Sequence, residues 1–258
     1  MAVLEVCVET VASAIAAQRG GAARIELCSD LLEGGVTPGP GLVSVIRSRL
    51  KIDIHVMIRP RAGDFIYSAD EFEVMQREMD EAQRLGANGF VLGILTERGR
   101  VDVKRTRELV ERAGGLPVTF HRAIDMTPDP LGALEDVITT GAQRVLSSGG
   151  SQNVSKGCEV LGRMHDAAED RLAVMAGGGV TLRTVRHLLA STGIREYHAS
   201  LRKAEQSPAD FHKQGIAMGE RREQEYLRYT THEEDVRAMT KLLDSVADKQ
   251  PVAGAQRI

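Results

Sequence analysis

Apolar residues recur along this chain with two periods, and the two take turns. Leu4, Val6 and Val8 alternate with Glu5, Cys7 and Glu9. Val11, Ala14, Ile15 and Ala17 then recur at helical spacing, and Gly20–Gly21 closes that run. Alternation returns at Arg24–Cys28, where Ile25 and Leu27 oppose Arg24, Glu26 and Cys28. Strand, helix and strand in that order make a parallel pair with a right-handed crossover. The rhythm continues to the end. Further strands are expected at Ile52–Ile58, Gly89–Leu95, Pro117–His121, Arg144–Ser147, Leu172–Ala176 and Glu196–Ala199. Helices are expected at Leu42–Leu50, from a Ser68 cap to near Gly86, at Val103–Ala113, from an Asp129 cap to Thr140, at Ser155–Ala168, at Leu182–Ala190, and at His232–Val246 after a long connection.

Eight strand–helix repeats build either a closed (β/α)8 TIM barrel or an open doubly wound sheet. Even spacing and a recurrent polar parity favour the barrel, whose lumen gives those polar residues one place to meet. Cys7, Cys28, His55, Met57, Arg59, His121 and His198 are then expected to point inward, with Cys7 and Cys28 at near-equivalent heights on adjacent strands. One barrel domain is expected over residues 1–248, followed by a flexible tail at 249–258.

Composition narrows the classes. A length of 258 residues suits one barrel, and a formal charge of −3 disfavours nucleic acid as a partner. No apolar run approaches the roughly 20 residues of a membrane span. The opening MAVLEVCVE has no signal-like region, and three cysteines form no disulfide framework, so a cytoplasmic protein is expected. Aromatics are 3% and Trp is absent, which leaves an aliphatic core.

Barrel sites sit at the carboxyl ends of the strands. Cys7, Cys28 and Met57 supply soft sulfur donors of the kind that select Cu(I), although buried cysteines also serve as plain packing. Zinc would need His55 or His121 to complete its set. Arg59, Arg61 and Arg122 with the Gly177–Gly178–Gly179 turn could hold a carboxylate or phosphate, or the glycines could merely make the turn. His121 with Glu9, Glu26 or Asp125 could exchange protons with a substrate, or could tie strands together inside the lumen. A barrel enzyme or binding protein for a small anionic metabolite therefore stands beside a copper protein.

The stretches LEVCVET, RIELCSDLLEGGVTP, VMIRPRAGDFIYS, LPVTFHRAIDM, RVLSSGG and MAGGGVT, in that order, resemble the CutC copper-homeostasis family. The resemblance runs from about residue 3 to residue 218. It implies a TIM barrel, a cytoplasmic location and a homo-oligomer. It also implies Cu(I) ligation by Cys7 and Cys28, which stand in the VCV and ELCS contexts of the family's proposed copper cysteines. The segment Glu220–Tyr229 is charged where the family tends to glycine and serine. Phe65, Ile66, Tyr67 and Phe72 crowd the start of the third helix. They predict an apolar patch near the rim, covered by Glu220–Tyr229 or by the second subunit of a dimer.

Overall fold

The computed structural model describes residues 2–216, 218 and 224–247. Eight parallel strands close into a barrel in sequence order, β1 pairing with β8. They are β1 (Val3–Val8), β2 (Arg24–Leu27), β3 (Asp53–Met57), β4 (Gly89–Leu92), β5 (Val118–Phe120), β6 (Arg144–Ser147), β7 (Ala173–Gly177) and β8 (Glu196–Ala199). Seven helices follow the first seven strands: α1 (Val11–Gly20), α2 (Pro40–Arg49), α3 (Ala69–Arg84), α4 (Val103–Arg112), α5 (Pro130–Thr140), α6 (Cys158–Ala168) and α7 (Leu182–Ser191). After β8 an antiparallel ribbon, β9 (Arg202–Gln206) and β10 (Leu227–Thr231), precedes the closing helix α8 (Glu233–Ala247). Among the described residues no helix is long and apolar enough to cross a membrane.

The two parities of the strands do different work. Leu4, Val6, Val8, Ile25, Leu27, Ile54, Val56, Phe90, Leu92, Val118 and Phe120 pack outward into one core under the helices. Phe90 and Phe120 are fully buried, and each contributes on the order of 2–3 kcal/mol. Local signals set the helix ends. Thr10 caps α1 by accepting from the Ser13 amide, and Ser68 and Glu71 form a reciprocal capping box on α3.

Several boundaries differ from expectation. β4 stops at Leu92 because the chain then turns: the Leu95 amide bonds the Phe65 carbonyl, and Leu95 bridges Val101. α6 starts at Cys158 because the Asn153 side chain accepts from the Ser155 and Lys156 amides and holds a turn there. The long connection before α8 contains the ribbon. The expected tail at 249–258 and positions 220–223 of the charged segment lie outside the described residues.

The expected aromatic patch is covered within the chain. Arg61 lies 5.3 Å over the Tyr67 ring, Arg105 lies 5.7 Å over Phe72, and Phe65 lies between Arg59 and His121, its ring tilted 57° to the imidazole. Of the four side chains Ile66 alone counts as exposed, at 36%. Tyr229, at the end of the charged segment, packs on Arg202 instead.

Candidate functional site at the barrel mouth

The lower lumen is closed by paired charges. Arg24 bonds Glu5 and Glu196, both at 2.5 Å, and Arg144 bonds Glu196 at 2.5 Å and Thr119 at 3.3 Å. Burial raises the proton affinity of Glu5, but the His198 hydrogen bond and the Arg24 charge outweigh it and hold the carboxylate ionised. His55 lies 3.9 Å from Glu5, and burial pushes it down to about 4.

Above this floor β8, β1 and β2 run side by side. Glu5 is opposite His198, and Cys7 is opposite Glu26. The ligand atoms of Cys7, Glu26 and His198 all lie within 4.8 Å of one another, and all three residues are buried. His198 turns Nδ1 toward Glu5 Oε1 at 2.7 Å, so its other edge faces the cluster, with Nε2 3.8 Å from Glu26 Oε2. Burial disfavours a charged His198, yet Cys7, Glu26 and Glu5 together move its pKa well above the usual range. Burial moves the Glu26 carboxyl up. Glu26 Oε2 accepts from Cys28 Sγ at 3.4 Å, and Glu26 Oε1 has no partner.

Cys28 is not at the height of Cys7. The register places it two residues past Glu26, one lumen layer higher, where its amide bonds the Val8 carbonyl. Its side chain is fully buried against Met57 and Val91. Burial, reinforced by Glu26, pushes its thiol well up. Met57 reaches the cavity wall. Cys158, at the start of α6, belongs to the outer core.

A cavity of about 560 Å³ opens over the cluster. Its wall includes Cys7, Glu26, Met57, Arg59, Phe65, His121, Arg122, Gly178, Gly179, His198 and Arg202. Glycine makes room for His121: a Cβ on Gly93 would stand 2.5 Å from its Nδ1. That nitrogen accepts from the Ala123 amide at 3.2 Å, while Nε2 is buried without a partner. Burial and the nearby Arg59 charge push His121 down to about 3, so the ring is neutral.

The remaining candidates separate. Asp125 accepts from Ser147 Oγ at 2.6 Å, from the Ser148 and Gly150 amides at 2.9 and 3.0 Å, and from Arg122 Nε at 2.8 Å. It thereby fixes the SSGG loop and Arg122, and its oxygens are occupied. Arg122 also donates to Ser148 Oγ at 2.8 Å and lies over Gly178. Arg61 bonds Glu71, Asp64 and the Ile66 carbonyl and does not reach the cavity wall. Gly177 sits between Leu146 and His198 inside the lumen. His198 and Glu5 form the pair at the centre of the cluster that residue types alone do not single out. Both lie on the polar parity of their strands, but their pairing depends on the β1–β8 closure.

A (β/α)8 barrel with a thiol, an imidazole and a carboxylate gathered at its mouth thus defines the class of protein. The chain belongs to the CutC family, whose sequence pattern it matches over residues 2–203. It is 46% identical over 242 residues to a CutC family protein of Chromobacterium violaceum, covering 94% of this chain and 98% of that one. It is also 46% identical over 216 residues to the mouse copper homeostasis protein cutC homolog, covering 84% and 79%. The crystal structure of the Streptococcus agalactiae putative copper homeostasis protein CutC superposes with a TM-score of 0.74 at 30% identity, covering 78% of this chain and 99% of that one.

Proposed function

We propose that this protein binds Cu(I) at the mouth of its barrel and serves copper homeostasis, with Cys7 and His198 as principal ligands. The observation that carries this reading is the buried cluster of Cys7, Glu26 and His198 with ligand atoms inside 4.8 Å. A first-row ion bound at about 2.0–2.3 Å on opposite sides separates its donors by roughly 4–4.6 Å, which fits that spacing. The donor types fit as well, since thiolate and imidazole suit Cu(I) and carboxylate is the weak member. Glu5 holds Nδ1 of His198, the carboxylate–histidine arrangement that orients a metal-ligating ring. Met57 on the cavity wall and the buried Cys28 behind it are further sulfur donors, and the pair Cys7 and Cys28 would share the ion only after Cys28 leaves Glu26. The names of the mouse and Streptococcus relatives support copper as cargo. The three cysteines are unpaired and suit a reducing compartment such as the cytoplasm.

Ligation through Nε2 must displace the proton that His198 holds more tightly than an ordinary imidazole, so affinity rises with pH. An anaerobic competition titration with a Cu(I) chelator tests the proposal. Cys7→Ser should abolish tight binding, and His198→Ala should weaken it by about 10–100-fold. A Cys7→Ser/His198→Ala double variant that binds as the parent does would sink the proposal.

A further inference from the structure

The cavity is far larger than one metal ion needs. Its 560 Å³ falls within the roughly 300–1,000 Å³ range of small-molecule sites. Three arginines line it, and they differ in one respect. Arg122 has Asp125 and Arg202 has Glu9 at ion-pair distance, whereas no carboxylate among the described residues pairs with Arg59. Arg59 is only 5% exposed. It donates to the carbonyls of Glu33, Gly35 and Gly63 and interacts with the buried Tyr67 hydroxyl, none of which cancels its charge. An uncompensated guanidinium out of water costs several kcal/mol, so a fold that keeps one has a use for it.

His121 stands in the same corner. The Ala123 amide donates to Nδ1, so the ring proton resides on Nε2, where no protein group accepts it. The Phe65 ring lies between the two, 4.9 Å from the Arg59 guanidinium carbon and 4.9 Å from the His121 ring. A cation without a counter-charge, a donor without an acceptor and an aromatic face converge on one wall. Glu26 Oε1, an acceptor without a donor, stands on the same cavity's floor.

We infer that this corner is a binding site for a small organic acid. Its carboxylate or phosphate would neutralise Arg59 and accept from His121 Nε2, its body would lie on Phe65, and a hydroxyl at its far end would meet Glu26. The inference does not rest on the copper reading.

The test is a thermal-shift series on the full chain stripped of copper with a Cu(I) chelator. Malate, citrate, glycerol 3-phosphate and inorganic phosphate are the probes, with glycerol and sodium chloride at matched ionic strength as controls. A fitting probe at about 100 times its Kd should raise Tm by about 5–10 °C. His121→Asn keeps an oxygen to accept from the Ala123 amide and removes Nε2, and it should weaken that probe by about tenfold. Ser68→Ala, at the α3 cap and not on the cavity wall, should leave the shift intact. In ¹⁵N-histidine spectra the His121 Nε2 resonance should move on binding. Equal shifts from chloride would mean an adventitious ion only and would overturn the inference. So would the absence of any shift, or a folded His121→Asn variant that binds as tightly as the parent.

Discussion

The lower and upper halves of the lumen use similar residues to opposite ends. Below, Glu5, Arg24, Glu196 and Arg144 form a chain in which each charge meets its opposite at 2.5 Å. Above, Glu26 Oε1 and His121 Nε2 are buried without partners, and Arg59 has no carboxylate beside it among the described residues, around a cavity. The four charges of the lower set pair without any ligand, with only His55 Nδ1 beside them lacking a hydrogen bond among the described residues, whereas the upper set leaves its open atoms around a cavity. Polar groups buried and satisfied hold strands in register, and those left open around a cavity are available to a ligand. Glu5 joins the halves, since one oxygen takes Arg24 and the other takes His198.

The largest effect is expected below. Arg24→Met leaves Glu5 and Glu196 buried without their shared cation and should cost about 3–5 kcal/mol in urea denaturation. If it costs under about 1 kcal/mol, the lower half is not the structural one. The next effect is a pH dependence from above. His121 has a folded pKa of about 3 against an unfolded value near 6.5. Between those values the unfolded chain binds more protons, so stability falls as pH falls, by about 2 kcal/mol from pH 6.5 to 5 for this residue. Urea midpoints across that window should lose this component in His121→Asn, and an unchanged slope would contradict the burial argument. A smaller loss is expected for Cys7→Ser, about 1 kcal/mol at most, because the exchange is nearly isosteric and faces a cavity. Ser68→Ala, which removes the α3 cap on the outside of the barrel, should cost about 1 kcal/mol or less and leave Cu(I) affinity unchanged.

Much of the barrel is legible in the sequence because two faces with different surroundings impose period two on every strand. Cys7, Glu26, His55 and His198 all fall on the lumen parity that alternation assigns them. The relative height of residues on different strands is not legible. It depends on the stagger of the closed barrel, which parity does not encode. Parity alone therefore sets Cys28 level with Cys7, whereas the register puts Glu26 there. For the same reason the contact of His198 with Glu5 is hidden, since it joins the first strand to the eighth. Asp125 looks like an acid/base candidate from its place beside His121. Its true partners, Ser147, Ser148 and Gly150, come from the next strand and its loop. The ribbon after β8 escapes a pattern reading because RKAEQ and LRYTT are short and largely polar, the first mostly exposed and the second mostly half-buried, with no apolar alternation to set a period.

The proposed copper site in the upper lumen has one thiolate and one imidazole as its principal ligands. X-ray absorption at the copper K-edge of the Cu(I)-loaded protein tests this most directly. One sulfur at about 2.2–2.3 Å and one nitrogen at about 2.0 Å are expected, with the imidazole signature lost in His198→Ala. A shell of sulfur alone, unchanged by that substitution, would contradict it and move the ion to Cys7, Cys28 and Met57.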